Sequence, residues 1–87
     1  MNAHQEQVIR ALLDTLIDPL GVDGGLMAEP LLHGATAQNT TPPATLNEFE
    51  EALKFCETKK WITGQRGATA RLRWAVTDTG RVARRDM

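Results

Sequence analysis

Residues 53–85 constrain the fold of this chain more than any other stretch, because they read in order as helix, strand, turn, strand, helix. The helix ends in Glu57-Thr58-Lys59-Lys60, and Trp61-Ile62-Thr63 follows as a short apolar strand. Gly64-Gln65-Arg66-Gly67-Ala68-Thr69-Ala70 is a polar, glycine-bearing tip. The second strand, Arg71 to Thr77, alternates Leu72, Trp74 and Val76 with Arg71, Arg73 and Ala75. One face of the strand is therefore apolar and the other carries arginine. Thr77 or Asp78 can cap a last short helix over 78–86.

The preceding residues read as helices. Val8, Ile9, Leu12, Leu13, Leu16, Ile17 and Leu20 recur at three- and four-residue spacings, which predicts a helix over 4–20 ending at Pro19 and Gly21. Its apolar stripe is wide. One side meets the domain core, and the remainder predicts a homodimer through residues 4–20. His4 is expected in a frayed terminus. Val22-Asp23-Gly24-Gly25 is a turn. Between Leu26 and Gln38, Pro30 suits the first turn of a short helix, with Leu31, Leu32 and Ala35 on its buried side. The two prolines at 42 and 43 place a loop over 39–44. Thr45-Leu46-Asn47-Glu48 matches a capping box, so a third helix starts there and runs to about Lys59. Leu46, Phe49, Leu53 and Cys56 lie on one of its stripes. These periods predict one buried cluster of Leu12, Leu16, Phe49, Leu53, Ile62, Leu72, Trp74 and Val76.

The ordered set of Leu53, Trp61-Ile62, the strand at 71–77 and Thr77-x-x-Gly80 resembles the winged helix-turn-helix family. The resemblance covers the C-terminal half well and the N-terminal half loosely. It implies a winged-helix-like fold, mainly α with a small antiparallel β-hairpin, spanning 1–87 as a single domain. It also implies a small double-stranded DNA-binding protein, such as a bacterial or phage-type transcriptional regulator. In DNA-binding relatives the wing meets the minor groove or backbone and the helix before it enters the major groove. The implied contacts here are Asn47, Lys54, Lys59, Lys60, Arg66, Arg71 and Arg73. The third helix departs from this pattern, because it presents Glu48, Glu50 and Glu51, which phosphates repel. The loop before it is also longer than the three or four residues usual in a helix-turn-helix. A second reading therefore stands beside the first: an adaptor or inhibitor on a winged-helix scaffold, docking its acidic third helix on a basic protein surface.

The charge distribution bears on both readings. Residues 1–58 hold two basic and nine acidic residues, net −7, whereas residues 59–87 hold eight basic and two acidic, net +6. Seven of the ten basic residues are arginine, whose planar fork suits phosphate oxygens. Such polarity points the C-terminal part at an anion, or else the two halves neutralise each other within the fold or between subunits.

No catalytic constellation is present. The chain has no serine and no tyrosine, and its two histidines, His4 and His33, lack metal-ligand spacing. Cys56 falls on a buried stripe and reads as a small core residue. Glu48 reads as a cap, and Glu50 and Glu51 as a solvated face. Neither an enzyme, a metal nor a cofactor is expected. The single cysteine, the absence of a basic leader and the lack of any apolar run near 20 residues predict a cytoplasmic chain with no membrane segment.

Overall fold

Helix α1 (Ala3–Ile17) starts on a reciprocal cap. The Asn2 side chain accepts from the Gln5 N–H at 2.8 Å, and the Asn2 N–H donates to Gln5 Oε1 at 3.0 Å. His4 is thus held in a capped first turn rather than in a frayed end. The computed structural model describes residues 2–17, 27–66 and 72–87, with Arg66 described by its backbone alone. Leu20, the turn at 22–25 and the wing tip beyond Arg66 lie outside the described residues.

Strand β1 (Met27–Ala28) leads directly into helix α2 (Glu29–Gln38), with Pro30 in its first turn as the sequence predicts. The buried side of α2 is Leu32 and Thr36, not Leu31 and Ala35: Leu31 is 58% exposed and Ala35 half-buried. The four-residue step from Leu32 to Thr36 keeps both on one face, toward the core. Helix α3 (Leu46–Thr58) begins on the expected capping box, with Glu48 N–H donating to Thr45 Oγ1 at 3.2 Å and Thr45 N–H donating to Glu48 Oε1 at 2.9 Å. Phe49, Ala52, Leu53 and Cys56 form its inner face, while Leu46, expected on that stripe, is 56% exposed. Leu46 is the first residue of the helix, ahead of the turns that pack on the core.

Strands β2 (Ile62–Arg66) and β3 (Leu72–Val76) pair antiparallel, and β1 pairs antiparallel with the other edge of β3. The order β1-β3-β2 makes a three-stranded sheet where the sequence predicts a two-stranded hairpin. Gly64, Gln65 and Arg66, expected in the wing tip, belong to β2 and pair with Trp74, Arg73 and Leu72. A Cβ on Gly64 would stand 3.0 Å from the Trp74 ring, so glycine lets that ring lie against β2. Trp74 is buried, and its indole N–H donates to Glu29 Oε1 at 3.2 Å, tying the middle of the sheet to the start of α2. Helix α4 (Asp78–Arg85) closes the chain. The whole is mainly helical with a small antiparallel sheet, a winged-helix-like arrangement.

One core joins these elements. Val8, Ile9, Leu12, Leu13 and Leu16 of α1 pack with Leu32, Phe49, Leu53, Cys56, Ile62 and Trp74. Of the eight residues expected there, Leu72 and Val76 are only half-buried and pack on its margin, because they lie toward the two ends of a five-residue strand centred on Trp74. The α1 stripe is consumed within the chain: these five α1 residues are at most 3% exposed. It leaves no open apolar face of the kind that motivated a dimer through residues 4–20, among the described residues.

The Thr77-x-x-Gly80 signature has a direct physical cause. The Gly80 N–H donates to Thr77 Oγ1 at 3.0 Å, capping α4. A Cβ on Gly80 would collide with the Trp61 carbonyl oxygen and stand 2.9 Å from Val76 Cγ2. Gly34, inside α2, has nothing within 4 Å of its would-be Cβ. Gly80→Ala therefore costs about 1–3 kcal/mol through overpacking, whereas Gly34→Ala stabilises by about 0.5–1 kcal/mol through helix propensity. Urea unfolding of the two variants checks both signs.

Candidate nucleic-acid interface

Asn47 and Lys54 share the outer face of α3, both exposed, seven residues or roughly 10 Å apart. Glu50 and Glu51 lie between them on that face, also exposed, with Glu57 toward its end. The surface that a winged-helix protein turns toward a major groove is thus mixed here, with carboxylates outnumbering its one lysine. Glu48 stands at the side of this face. The Thr45 backbone N–H is the main cause that holds its carboxyl below the ordinary 4.5, and His4 Nε2, 2.9 Å from Glu48 Oε2, pulls in the same direction.

Lys59 and Lys60 form the junction between α3 and the sheet, and both are exposed. The Lys60 N–H donates to Glu57 O and the Trp61 N–H to Cys56 O, each at 2.9 Å. This is a Schellman closure, with Lys60 at φ 62°, the left-handed position that usually falls to glycine. Lys59 Nζ lies 5.7 Å above the Phe55 ring, which itself meets Trp61 edge-on at 5.5 Å. The Lys59 ammonium therefore has a cation–π partner, while Lys60 projects from a backbone conformation unfavourable to any side chain.

Arg73 is exposed on β3, paired in register with Gln65 on one side and Ala28 on the other. It faces away from the core that Trp74 enters. The Arg66 side chain and the whole of Arg71 lie outside the described residues. The structure thus groups Asn47 with Lys54, and Lys59 with Lys60, and puts Arg73 on a separate element.

The alternative use of these charges is mutual neutralisation of the acidic and basic halves. Among the described residues, one ion pair joins the halves: Arg84 donates to the two Asp14 oxygens at 2.6 and 3.1 Å, across 70 positions. That contact raises the Arg84 pKa further above its already high value. The other Arg–carboxylate pair, Arg10–Glu6 at 2.9 Å, is local to α1. Lys54, Lys59, Lys60, Arg73, Arg81 and Arg85 have no carboxylate at ion-pair distance among the described residues.

Two features escape a reading of the sequence. Arg81, Arg84 and Arg85 line a recess with Asp14 and Ile17 of α1, and Val82, to one side of them on α4, is 51% exposed. Their signal is the dense arginine run at 81–85, which reads in sequence only as part of the basic half. The second is a cleft between α1 and α3, which no local pattern announces.

The remaining chemical groups have structural roles. Burial pushes the Cys56 thiol up to about 12, so it stays protonated and unreactive at neutral pH. The His33 ring stacks on Phe49 at 4.9 Å, with Nε2 3.3 Å from the Ala44 carbonyl. No group of three or more His, Cys, Asp or Glu side chains is placed to hold a metal among the described residues, and none of their helices is long and apolar enough to cross a membrane. The chain matches no family model, no curated protein and no solved structure to a significant degree.

Glu48 sets a pH dependence. Its folded-state pKa is depressed, so its contribution to stability is complete above the unfolded value of 4.5 and is lost as pH falls through the lower folded value. Thermal melts of the parent and Glu48→Gln should therefore differ most near neutral pH and converge as acid is added.

Proposed function

We propose that this chain is a small winged-helix protein that binds double-stranded DNA as a regulator of transcription. Phosphates would meet Lys59, Lys60 and the arginines of the wing strands, Arg66, Arg71 and Arg73, while Asn47 and Lys54 of α3 approach the major groove. The observation that carries this reading is the surplus of exposed cations. Among the described residues, Arg84 is the one cation of the basic half paired with a carboxylate of the acidic half, and six other basic residues have no carboxylate partner. Mutual neutralisation within the fold thus leaves most of the basic excess unexplained, and a polyanion accounts for it. Lys60 adds to this. Glycine would hold its left-handed backbone at lower cost, so a lysine there is best explained by use of its charge.

The face of α3 favours a second reading. Glu50, Glu51 and Glu57 are exposed there against Lys54 alone, a surface suited to a basic protein partner. The two readings separate in a titration of nonspecific duplex DNA at two salt concentrations. DNA binding predicts measurable affinity at low salt that falls steeply as salt rises. Arg73→Ala should weaken binding to all sequences alike and lower the salt slope by about one unit. Glu50→Gln should tighten it by removing repulsion. Absence of duplex affinity at low salt, with a protein partner lost on Glu50→Gln, would establish the adaptor instead.

Lys60→Gly gives two readouts of opposite sign. Stability should rise by about 1 kcal/mol as the left-handed strain is relieved, while DNA affinity falls for want of one phosphate contact. A variant whose affinity is unchanged removes Lys60 from the interface.

A further inference from the structure

Helix α4 sets three arginines on one side. Arg81, Arg84 and Arg85 are three and four residues apart, the spacings that bring side chains together on a helix. With Asp14 and Ile17 of α1 they line a recess of about 360 Å³, a size that suits a small molecule. Ile17 is half-buried and gives the recess an apolar wall. Three guanidinium groups stand there against one carboxylate, a net +2. The carboxylate takes Arg84, whose Nε and Nη2 donate to the two Asp14 oxygens at 2.6 and 3.1 Å. That fork fixes the plane of the Arg84 guanidinium and leaves its other N–H donors to spare. Arg81 and Arg85 are exposed, with no carboxylate at ion-pair distance among the described residues.

Helix electrostatics explain part of this cluster. Cations suit a helix C-terminus, and Arg84 and Arg85 occupy the last turn of α4. Arg81 has no such reason, because it is the fourth residue of an eight-residue helix. Like charges four residues apart repel each other, and Asp14 offsets only one of the three. A bound dianion would offset the other two.

We propose that this recess binds a phosphate dianion, either free or as the terminal group of a small organic phosphate. Arg84, oriented by Asp14, supplies donors fixed in place. Arg81 and Arg85 bring two further guanidinium forks, whose planar geometry matches phosphate oxygens. Ile17 meets the organic part of an ester. The site is built from α1 and α4 and uses none of the α3 or wing residues assigned to duplex DNA. It therefore stands or falls separately from DNA binding, and its test contains no DNA.

Isothermal titration of the full chain with inorganic phosphate and with phenyl phosphate, at constant ionic strength, should show saturable binding. Arg81→Gln and Arg85→Gln, each shown to be folded by circular dichroism, should separately weaken it by about tenfold, the effect of losing one charge-assisted hydrogen bond. Arg10→Gln removes the same charge outside the recess and should leave the affinity unchanged. Tighter binding of phenyl phosphate would assign the site to an ester, and equal or weaker binding to the free ion; either supports the proposal. Three results would overturn it. One is a parent that shows no saturable binding of either probe. Another is binding that survives both the Arg81 and the Arg85 substitutions, which would place phosphate on other cations. The last is an equal loss in Arg10→Gln, which would reduce the effect to net charge.

Discussion

The hydroxyl of Thr77 is the joint on which the C-terminal half turns. Its oxygen accepts from the Gly80 N–H, and its one proton is shared between the carbonyls of Lys60 at 2.7 Å and Trp61 at 3.0 Å. The Thr77 N–H donates to the same Trp61 carbonyl at 2.9 Å. One side chain thus ties the end of α3 to the end of β3 and the beginning of α4. The Trp61 carbonyl can occupy this point because Gly80 has no Cβ to exclude it. With α3 closed by the Lys60 and Trp61 amides, the direction of β2 is set, β3 returns beside it, and α4 leaves at the angle that carries Arg84 to Asp14.

Magnitudes separate what holds the fold from what is left for recognition. A fully buried aliphatic or aromatic side chain contributes about 1.5–3 kcal/mol, and α1 alone supplies five such side chains to the core. An exposed ion pair is worth about 0–1 kcal/mol. Arg84–Asp14 and Arg10–Glu6 are therefore minor terms, and the charge polarity of the chain is not a device for stability. Exposed lysines and arginines without partners cost the fold little and stay available to an external anion. The same applies to the carboxylates of α3, which is why one scaffold supports both a DNA reading and a protein-docking reading.

The two readings share the outer face of α3 and differ in whether the wing takes part. Phosphate recognition needs the wing, where exposed Arg73 sits between the half-buried Leu72 and the buried Trp74 of β3. A protein partner needs α3, whose inner face is fixed by Phe49, Leu53 and Cys56 while its outer face is free to vary. Burial of the inner face sets the position of Asn47, Glu50, Glu51 and Lys54 without requiring anything of their chemistry.

Local rules made much of this legible in the sequence. The capping box at Thr45 and Glu48, the apolar period of α1, the alternation in β3 and the Thr77-Gly80 turn each depend on residues within a few positions of one another, so sequence alone determined them. Strand β1 gave no such signal: two residues, Met27 and Ala28, have no period, and they become a strand only because Trp74 and Arg73 lie opposite. The same reason hid the exposure of Leu31, the left-handed Lys60, the Trp74–Glu29 bond across 45 positions and the Asp14–Arg84 pair across 70. Sequence therefore determined the four helices, the hairpin of β2 and β3, most of the residues that seed the core and how the charge divides. Tertiary structure decided which of those charges are paired, because an ion pair depends on distance in space and the chain brings its distant parts together only when the core closes.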